Sequence, residues 1–306
     1  MSESVKIAAV TGARGMIGEL IVQMLLEAGW DVRVLTRSDH LSNSSQLTVV
    51  TSDINDENGL RNLLEGVNAI FHCAAESFVS PSWLHPTRYM NVNYNGTLNI
   101  LDALKEKKSK AIFHIPGSGE EYGEIYKQEL PITPSTVLRP VNPYAVSKVA
   151  QDLIGYVYFK SYGINVIRTR AFNHEGPRRD INGAISSFAY QISKIEYGLQ
   201  KNIIEVGNLN AVRNFTHVED MVKAYYLALN KGVPGELYLI GSDIVYSMKQ
   251  IINKLIRLSG NKKIKYKIVK SRIRPTELNY LIGNIKKFKK LTKWKYKKNI
   301  DEILLD

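Results

Sequence analysis

Thr11-Gly12-Ala13-Arg14-Gly15-Met16-Ile17-Gly18 is the stretch of sequence that decides the fold. Residues 5–10 before it form an apolar run that predicts a strand, and residues 16–28 after it have the periodicity of an amphipathic helix. The first glycine permits a tight turn, the second lets the backbone approach a phosphate group, and the third lets helix and strand pack closely. This order predicts a dinucleotide pyrophosphate site at the helix N-terminus.

Strands and helices continue to alternate as far as residue 172. Apolar runs predict further strands at residues 31–36, 47–51, 69–73, 111–115 and 165–172. Helical periodicity predicts helices at residues 57–65, 91–107 and 144–162. Alternation of this kind implies parallel strands whose connecting helices cover both faces of a sheet. We therefore predict an α/β fold built on a doubly wound parallel sheet of the Rossmann type.

The pattern loosens beyond residue 172, where a smaller C-terminal lobe is expected to close over the carboxyl edge of the sheet. There the sequence predicts helices at residues 185–197, 217–230 and 248–259 and a strand at residues 237–240. The predicted NAD(P)-binding domain comprises residues 1–172 and about 212–242, and the predicted substrate-binding lobe comprises residues 173–211 and 243–306.

The net charge of +12 on 306 residues is concentrated at the C-terminal end. Residues 251–306 hold 17 Lys and Arg against 4 Asp and Glu, whereas residues 1–250 are nearly balanced. One interpretation is a solvated lysine-rich face, and another is a basic field that draws an anionic substrate to its cleft. Binding to nucleic acid is disfavoured because no recognised motif interleaves these lysines with stacking aromatic residues.

Other composition signals limit the class of protein. The single cysteine, Cys73, excludes an intrachain disulfide and lies in an apolar run, where a buried structural thiol is expected. No apolar run reaches the roughly 18 residues that a membrane span needs, and no signal peptide is evident, so a cytoplasmic location is expected. The six histidines show no ligand spacing, and we predict no metal.

The second predicted strand ends without the acidic residue that would hydrogen-bond the ribose 2′-hydroxyl of NAD. Arg37 follows the strand instead, and together with Arg14 it could hold a 2′-phosphate by charge-assisted bonds. This favours NADP(H) over NAD(H), with two solvated arginines as the alternative. Asp53 and Ile54, after the third strand, are expected to meet the adenine, and the small pair Ala74-Ala75 is expected where the cofactor crosses the sheet edge.

Tyr144 and Lys148 lie four residues apart at the start of a predicted helix, so their side chains project from one face. A phenol is a poor base at neutral pH, and a nearby ammonium is expected to stabilise its phenolate. Tyr144 could then exchange a proton with a hydroxyl or carbonyl oxygen of the substrate, and Ser118, which follows the fifth predicted strand, could donate a hydrogen bond to the same oxygen. Asp152 and Tyr156, further along the helix, are expected at surface, packing or dimer-contact positions.

Together these motifs resemble the extended short-chain dehydrogenase/reductase family. The resemblance rests on the glycine turn, the Ala74-Ala75 pair, Asn93, Ser118 and the Tyr144/Lys148 pair, all in family order. It implies that Lys148 holds the nicotinamide ribose and that these residues bind the cofactor: Gly12, Arg14, Gly15, Met16, Ile17, Arg37, Asp53, Ile54, Ala74, Ala75, Asn93, Tyr144, Lys148, Phe172 and His174.

Within that family, the second half is similar to the branch that acts on GDP-mannose derivatives. The segments 170–179, 207–215 and 274–277 carry this similarity. It implies that Asn173 and Arg213 bind the substrate diphosphate and that Arg274 and Glu277 bind the nucleotide. The full set expected to bind substrate is Ser77, Ser118, Glu120, Asn173, Arg178, Arg213, Arg274 and Glu277.

The same branch contains two chemistries. The segment Ser118-Gly119-Glu120-Glu121-Tyr122-Gly123 resembles the reductase pattern Ser-Ser-Glu-Glu-Tyr-Gly, which favours reduction of the C4 ketone of a GDP-linked 4-keto-6-deoxy sugar with NADPH, a step in nucleotide-sugar and polysaccharide biosynthesis. Glu120 also stands where the 4,6-dehydratases keep their C5 base, so dehydration is the first alternative. An epimerase or reductase of another nucleotide sugar and a non-catalytic dinucleotide sensor stay open, and family analogy favours a homodimer.

Overall fold

The computed structural model of the protein describes residues 6–38 and 41–306. The first half alternates strands and helices in this order: β1 (Ile7–Thr11), α1 (Met16–Glu27), β2 (Asp31–Thr36), β3 (Leu47–Thr51), α2 (Glu57–Leu63), β4 (Ala69–His72), α3 (Val79–Ser82), α4 (Pro86–Tyr89), α5 (Gly96–Glu106), β5 (Ile112–Ser118), α6 (Pro143–Tyr162) and β6 (Val166–Ala171). The predicted first strand started at Val5, which lies outside the described residues.

The second half has shorter strands between its helices. Its elements are β7 (His174–Glu175), α7 (Ala184–Glu196), β8 (Ile203–Val206), β9 (Val212–Asn214), β10 (Thr216–His217), α8 (Val218–Lys231), β11 (Leu237–Ile240), β12 (Val245–Ser247), α9 (Met248–Leu258), β13 (Lys265–Ile268), β14 (Tyr280–Leu281), α10 (Lys286–Thr292) and α11 (Ile300–Leu305). No helix in the described part of the chain is both long and apolar enough to cross a membrane.

The main sheet has seven parallel strands in the order β11-β6-β5-β4-β1-β2-β3. The chain moves outward from β1 to β3, then returns to place β4 on the other side of β1. This reversal creates a crevice at the carboxyl ends of β1 and β4, which is where open α/β sheets bind ligands. The predicted doubly wound parallel sheet is confirmed.

Hydrophobic clusters on both faces explain why the inner strands read as continuous apolar runs. In β1, Ala8 and Val10 pack with α1 and α8 on one face, whereas Ala9 packs with α2 and α5 on the other. All three side chains are fully buried. Because alternate residues of a strand point to opposite faces, a strand covered on both sides needs apolar residues at every position.

A third cluster lies outside the sheet and joins α7, α9 and α11 with β8. Around it, β9 pairs with β12 and β14, and β8 pairs with β13. The predicted division into a sheet domain and a smaller lobe stays a prediction. Phe288 and Trp294, which that division gives to the lobe, pack in the cluster of β1, α1 and α8 beside the sheet.

The helix predicted over residues 91–107 is present, but its first residues form a π-helical turn instead of an α-helical one. A π-helical turn at Met90–Asn95 precedes α5, and it carries the fully buried side chain of Asn93. The Asn93 amide accepts a hydrogen bond from the Glu76 N–H (2.8 Å) and donates one to the Glu76 carbonyl (3.0 Å). A widened turn of this kind is frequent at functional sites, and here it secures the chain that follows β4.

Replacing Phe288 with alanine tests whether α10 belongs to the packing of the sheet. Phe288 is fully buried and lies edge-on to Tyr238 and Trp294. The variant should lose about 3–5 kcal/mol of unfolding free energy in urea denaturation because a large apolar side chain leaves a cavity. Leu305→Ala, on a side chain that is 68% exposed, is the control and should stay within about 0.5 kcal/mol of the parent. Equal losses of unfolding free energy in the two variants would contradict the packing of Phe288 beside the sheet.

Candidate active site

The glycine turn brings the ends of β1 and β4 into contact. Gly12 has a φ of +68°, and a Cβ added there would lie 2.6 Å from the backbone of Cys73 and Ala74. The Gly15 N–H donates to the Gly12 carbonyl at 3.0 Å, and Gly18 packs directly on the same carbonyl. No side chain caps the start of α1, so its first N–H groups are available to an anion.

A cavity of about 720 Å³ opens beside this turn, at the carboxyl ends of the strands. Most of the residues predicted to bind the cofactor line it: Gly12, Arg14, Gly15, Arg37, Asp53, Ile54, Ala74 and Ala75. Cys73, which also lines it, has a pKa raised to about 12 by burial, consistent with the inert thiol expected from the sequence. The lining has the size and the phosphate-facing backbone that a dinucleotide requires.

Two guanidinium groups stand at one corner of this cavity. The side chains of Arg14 and Arg37 are exposed there, and Arg14 donates to the Ser38 hydroxyl at 2.5 Å. Ser38 was not predicted, because a lone serine after a strand carries no sequence signal. Two positive charges with a neighbouring hydroxyl suit a phosphate monoester.

A second cavity, of about 180 Å³, adjoins the end of β5 and the start of α6. Predicted residues that line it are Ser77, Ser118, Glu120, Tyr144, Phe172, Asn173, His174 and Arg274. Phe78, Ser80, Arg179 and Asn182 line it as well and were not among the predicted site residues. Arg179 lies over the ring of Phe78, with 5.3 Å between the guanidinium carbon and the ring centroid.

Ser118 and Tyr144 form a pair of hydroxyl groups in the second cavity. The Ser118 hydroxyl accepts a hydrogen bond from the Glu120 N–H at 3.2 Å, which leaves its own hydrogen to donate to the Tyr144 oxygen or to a ligand. Burial raises the pKa of Tyr144 above its ordinary value, while a hydrogen bond with Ser118 and the charge of Arg179 lower it. Tyr144 is therefore a neutral phenol at pH 7, able to give up a proton.

Lys148 lies one helical turn after Tyr144 and is buried. Its ammonium donates to the Pro116 carbonyl at 2.7 Å and to the Gln151 side-chain oxygen at 2.5 Å. Burial lowers the pKa of Lys148 to about 8, against the charge of Glu121. Stabilisation of the Tyr144 phenolate by Lys148 stays a prediction; the charges that shift the pKa of Tyr144 in this structure include Glu120, Glu121 and Arg179.

A buried network of ions underlies Ser118. Glu121 accepts from the Ser118 N–H at 2.7 Å and pairs with Arg170 at 2.6 Å, and Arg170 pairs with Asp152 at 2.6 Å. Arg168 completes the group at 3.2 Å from Asp152. The expected surface position of Asp152 is wrong, since its side chain is buried between these two arginines. Charges are buried in this way only when they are paired.

Several predicted site residues support the cavities from outside them. Arg213 is buried and donates to the carbonyls of Leu278 (2.7 Å) and Val212 (2.9 Å), and Glu277 accepts from the Arg274 N–H at 2.9 Å. These contacts hold the segment that carries Arg274.

Four other predicted site residues line neither cavity: Arg178, Asn93, Met16 and Ile17. Arg178 has a φ of +68°, is exposed, and pairs with Glu19 on α1. Asn93 braces Glu76, as described above, and also donates to Ser147 on α6 at 2.9 Å. Met16 and Ile17 begin α1.

Two histidines are buried beneath the site. His72 bonds to Thr11 and Thr97, and His114 bonds to Thr169 at 3.0 Å and packs against the rings of Phe71 and Tyr225. Burial lowers the pKa of each histidine to about 3. Within the described residues, no cluster of three or more His, Cys, Asp or Glu side chains is placed to hold a metal ion.

Comparisons with known proteins agree with this geometry. The sequence model of the family described as GDP-mannose 4,6 dehydratase matches residues 9–306. GDP-6-deoxy-D-mannose reductase of Pseudomonas aeruginosa is 32% identical over 74% of this chain and 75% of its own length. The GDP-mannose 4,6 dehydratase of Dictyostelium discoideum is 28% identical over 99% of this chain and 95% of its own. The solved structure of RMD from P. aeruginosa complexed with NADPH has a TM-score of 0.84 and 28% identity, and the match covers 98% of this chain and 96% of that chain.

The buried histidines predict that stability falls with pH below about 6.5. The unfolded chain protonates its histidines there, whereas His72 and His114 stay neutral in the fold until about pH 3. The unfolding free energy should be fully maintained above pH 6.5 and fall by about 1.4 kcal/mol per histidine per pH unit below it. Urea denaturation from pH 7 to pH 5 measures the slope.

The variant His114→Phe should remove one histidine's share of that slope, because the ring contacts with Phe71 and Tyr225 can be kept. Ile70→Val, an apolar change at a fully buried position, serves as the control and should keep the slope of the parent. If His114→Phe also kept the full slope, His114 would not be a buried neutral group.

Proposed function

The chain belongs to the GDP-mannose 4,6-dehydratase family, and on that premise we propose that it reduces the C4 ketone of a GDP-linked 4-keto-6-deoxy sugar with NADPH. It is an NAD(P)-dependent enzyme of the oxidoreductase type. The observation that carries the proposal is the pair Ser118 and Tyr144, two hydroxyl groups that can both donate to one oxygen atom in the second cavity. A ketone oxygen that is becoming an alcohol needs such donors.

The proposed roles of these side chains follow from their hydrogen bonds. NADPH, when bound, supplies the hydride that the ketone carbon receives. Ser118 donates a hydrogen bond that orients the ketone oxygen, and Tyr144 transfers its proton to that oxygen as the carbon is reduced. The phenolate left on Tyr144 then takes a proton from solvent, which restores the neutral side chain and completes the conversion of ketone to secondary alcohol.

The first cavity supplies the residues that would hold the dinucleotide. The glycine turn and the start of α1 face the pyrophosphate, and Arg14, Arg37 and Ser38 would bind a 2′-phosphate. RMD of P. aeruginosa, similar to this chain over nearly its whole length, was solved with NADPH, which supports the same preference here. NAD(H) remains the second choice, since the turn itself binds the pyrophosphate common to both cofactors.

Substrate residues follow from the second cavity and the family. Asn173 and Arg274 line the cavity and would bind the diphosphate and nucleotide, with Glu277 holding the backbone of Arg274. A guanidinium there provides bidentate bonds to phosphate oxygens. The relatives named GDP-6-deoxy-D-mannose reductase and GDP-mannose 4,6 dehydratase support a guanine nucleotide sugar as the substrate class.

Glu120 is the observation that favours a second function, 4,6-dehydration. Its carboxylate lines the same cavity as Tyr144 and accepts one hydrogen bond, from the Asn142 side chain at 3.2 Å. A carboxylate in that place could remove a proton from C5 during elimination. In the reductase proposal, Glu120 binds a sugar hydroxyl instead.

The proposed homodimer is supported by the outer face of α6. Val146, Leu153, Tyr156 and Val157 follow helical spacing and are 38–47% exposed. A stripe of this kind suits packing against the same helix of a second copy.

Tyr144→Phe tests the proposed chemistry. The parent should oxidise NADPH when given a GDP-linked 4-keto-6-deoxy sugar, and the variant should lose about 10²–10⁴-fold in kcat because the proton donor is gone. Its affinity for NADPH should be unchanged, since the phenol hydroxyl is a small part of the dinucleotide site. NADPH absorbance measures the rate, and fluorescence titration measures the affinity.

Tyr162→Phe, on the same helix and half-exposed, is the matched control and should keep the rate of the parent. Unchanged turnover in Tyr144→Phe would remove this residue from the mechanism. A parent that leaves NADPH unused with the 4-keto sugar, and instead forms a 4-keto product from GDP-mannose, would support the dehydratase.

A further inference from the structure

A continuous chain of buried hydrogen bonds connects Lys148 with the end of β1. Lys148 donates to the Gln151 side-chain oxygen at 2.5 Å, and the Gln151 amide donates to the Thr97 hydroxyl at 2.7 Å. Thr97 lies 2.9 Å from His72 Nε2, and His72 Nδ1 lies 2.8 Å from the Thr11 hydroxyl. The Gln151, Thr97, His72 and Thr11 side chains are fully buried, and Lys148 is 4% exposed.

The bond from Thr97 to the Asn93 carbonyl determines the direction of the other bonds in the chain. The Thr97 hydroxyl donates its only hydrogen to the Asn93 carbonyl at 2.7 Å. It therefore accepts hydrogen bonds from both Gln151 and His72. His72 therefore carries its proton on Nε2 and accepts from Thr11 on Nδ1. The Gln151 amide must likewise present its oxygen to Lys148, because its nitrogen is needed by Thr97.

This fixed direction determines the geometry of the Lys148 ammonium. An ammonium has three N–H donors in a tetrahedral arrangement, and two of them go to Gln151 and to the Pro116 carbonyl. The direction of the third donor is then set. It is the donor left for a bound ligand.

We infer that Gln151 is a positioning residue that holds the Lys148 ammonium charged and aimed for the nicotinamide dinucleotide, with Thr97 and His72 fixing the orientation of the Gln151 amide. The inference deepens the proposed function and rests on it for the role of Lys148. Gln151 touches neither of the two cavities and would act only through Lys148. Sequence reasoning had assigned no role to Gln151, Thr97 or His72.

The electrostatic surroundings of Lys148 make this role measurable. Burial lowers its pKa to about 8, so a change in its hydrogen bonds moves its titration within an accessible pH range. The titratable groups that act on Lys148 or are acted on by it come from the turn after β5, from α6, β4 and β5: Glu121, Asp152, Cys73, His72 and His114. The Gln151 substitutions leave all five side chains in place, and only His72 shares the hydrogen-bond chain with Gln151, through Thr97.

Two substitutions of Gln151 should shift the titration of Lys148 in opposite directions. Gln151→Leu removes an acceptor from the ammonium, which lowers the pKa of Lys148, whereas Gln151→Glu adds a negative charge, which raises it. A hydrogen bond to a charged group is worth enough to move the alkaline limit of NADPH affinity by about one pH unit or more. Fluorescence titration of the full chain with NADPH from pH 6 to pH 10 measures this limit.

Gln191→Leu is the matched control, because the Gln191 side chain is likewise a buried amide. Its bonds go to the backbone of Glu205, away from Lys148. Gln191→Leu should lower the thermal stability about as much as Gln151→Leu does, without moving the pH limit of NADPH affinity. The expected result is a downward shift in Gln151→Leu, an upward shift in Gln151→Glu and none in the control.

Shifts in the same direction, or no shift in folded Gln151 variants, would overturn the inference even if the parent reduces its ketone. Opposite shifts in the alkaline limit of NADPH affinity would support the inference even if no 4-keto sugar is turned over. In that case only the proposed function would fail. The binding measurement separates the two because it needs no sugar substrate.

Discussion

The close approach of Gly12 to the backbone of Cys73 and Ala74 is the contact on which the rest of the site depends. A Cβ added to Gly12 would lie 2.6 Å from that backbone, so only glycine allows β1 and β4 to end side by side with a turn between them. This placement opens the crevice at the point where the strand order reverses. It also aligns Thr11 with His72, from which the buried chain to Lys148 begins.

Much of the sheet could be predicted from the sequence because strands buried on both faces are apolar throughout. Short strands such as β7, β10 and β14, each of two residues, have no pattern to detect, and they pair through contacts distant in the chain. The π-helical turn before α5 was missed for a different reason. Its residues have the periodicity of a helix, and the bonds of Asn93 to Glu76 and Ser147, which are distant in the chain, leave no mark on that periodicity.

In the candidate site, too, local motifs could be predicted from the sequence, whereas contacts between residues far apart in the chain could not. The glycine turn and the Tyr144/Lys148 pair are local motifs, and both were predictable. Arg170 forms ion pairs with Glu121 and Asp152. These three residues come from different elements, and no sequence motif indicates that they pair. The ion pairs give the two adjacent acids different surroundings: Glu121 is fully buried and holds the Ser118 backbone, whereas Glu120 faces the second cavity. Glu120 is therefore the acid that can meet a sugar.

The fate of deuterium carried on the transferable position of NADPH tests directly whether the enzyme reduces the C4 ketone. The enzyme would be incubated with a GDP-linked 4-keto-6-deoxy sugar, and the product examined by mass spectrometry and NMR. Reduction of the C4 ketone would place one deuterium on C4 of the sugar for each dinucleotide oxidised. Product without label, or conversion of GDP-mannose to a 4-keto sugar with no net change in the dinucleotide, would contradict it.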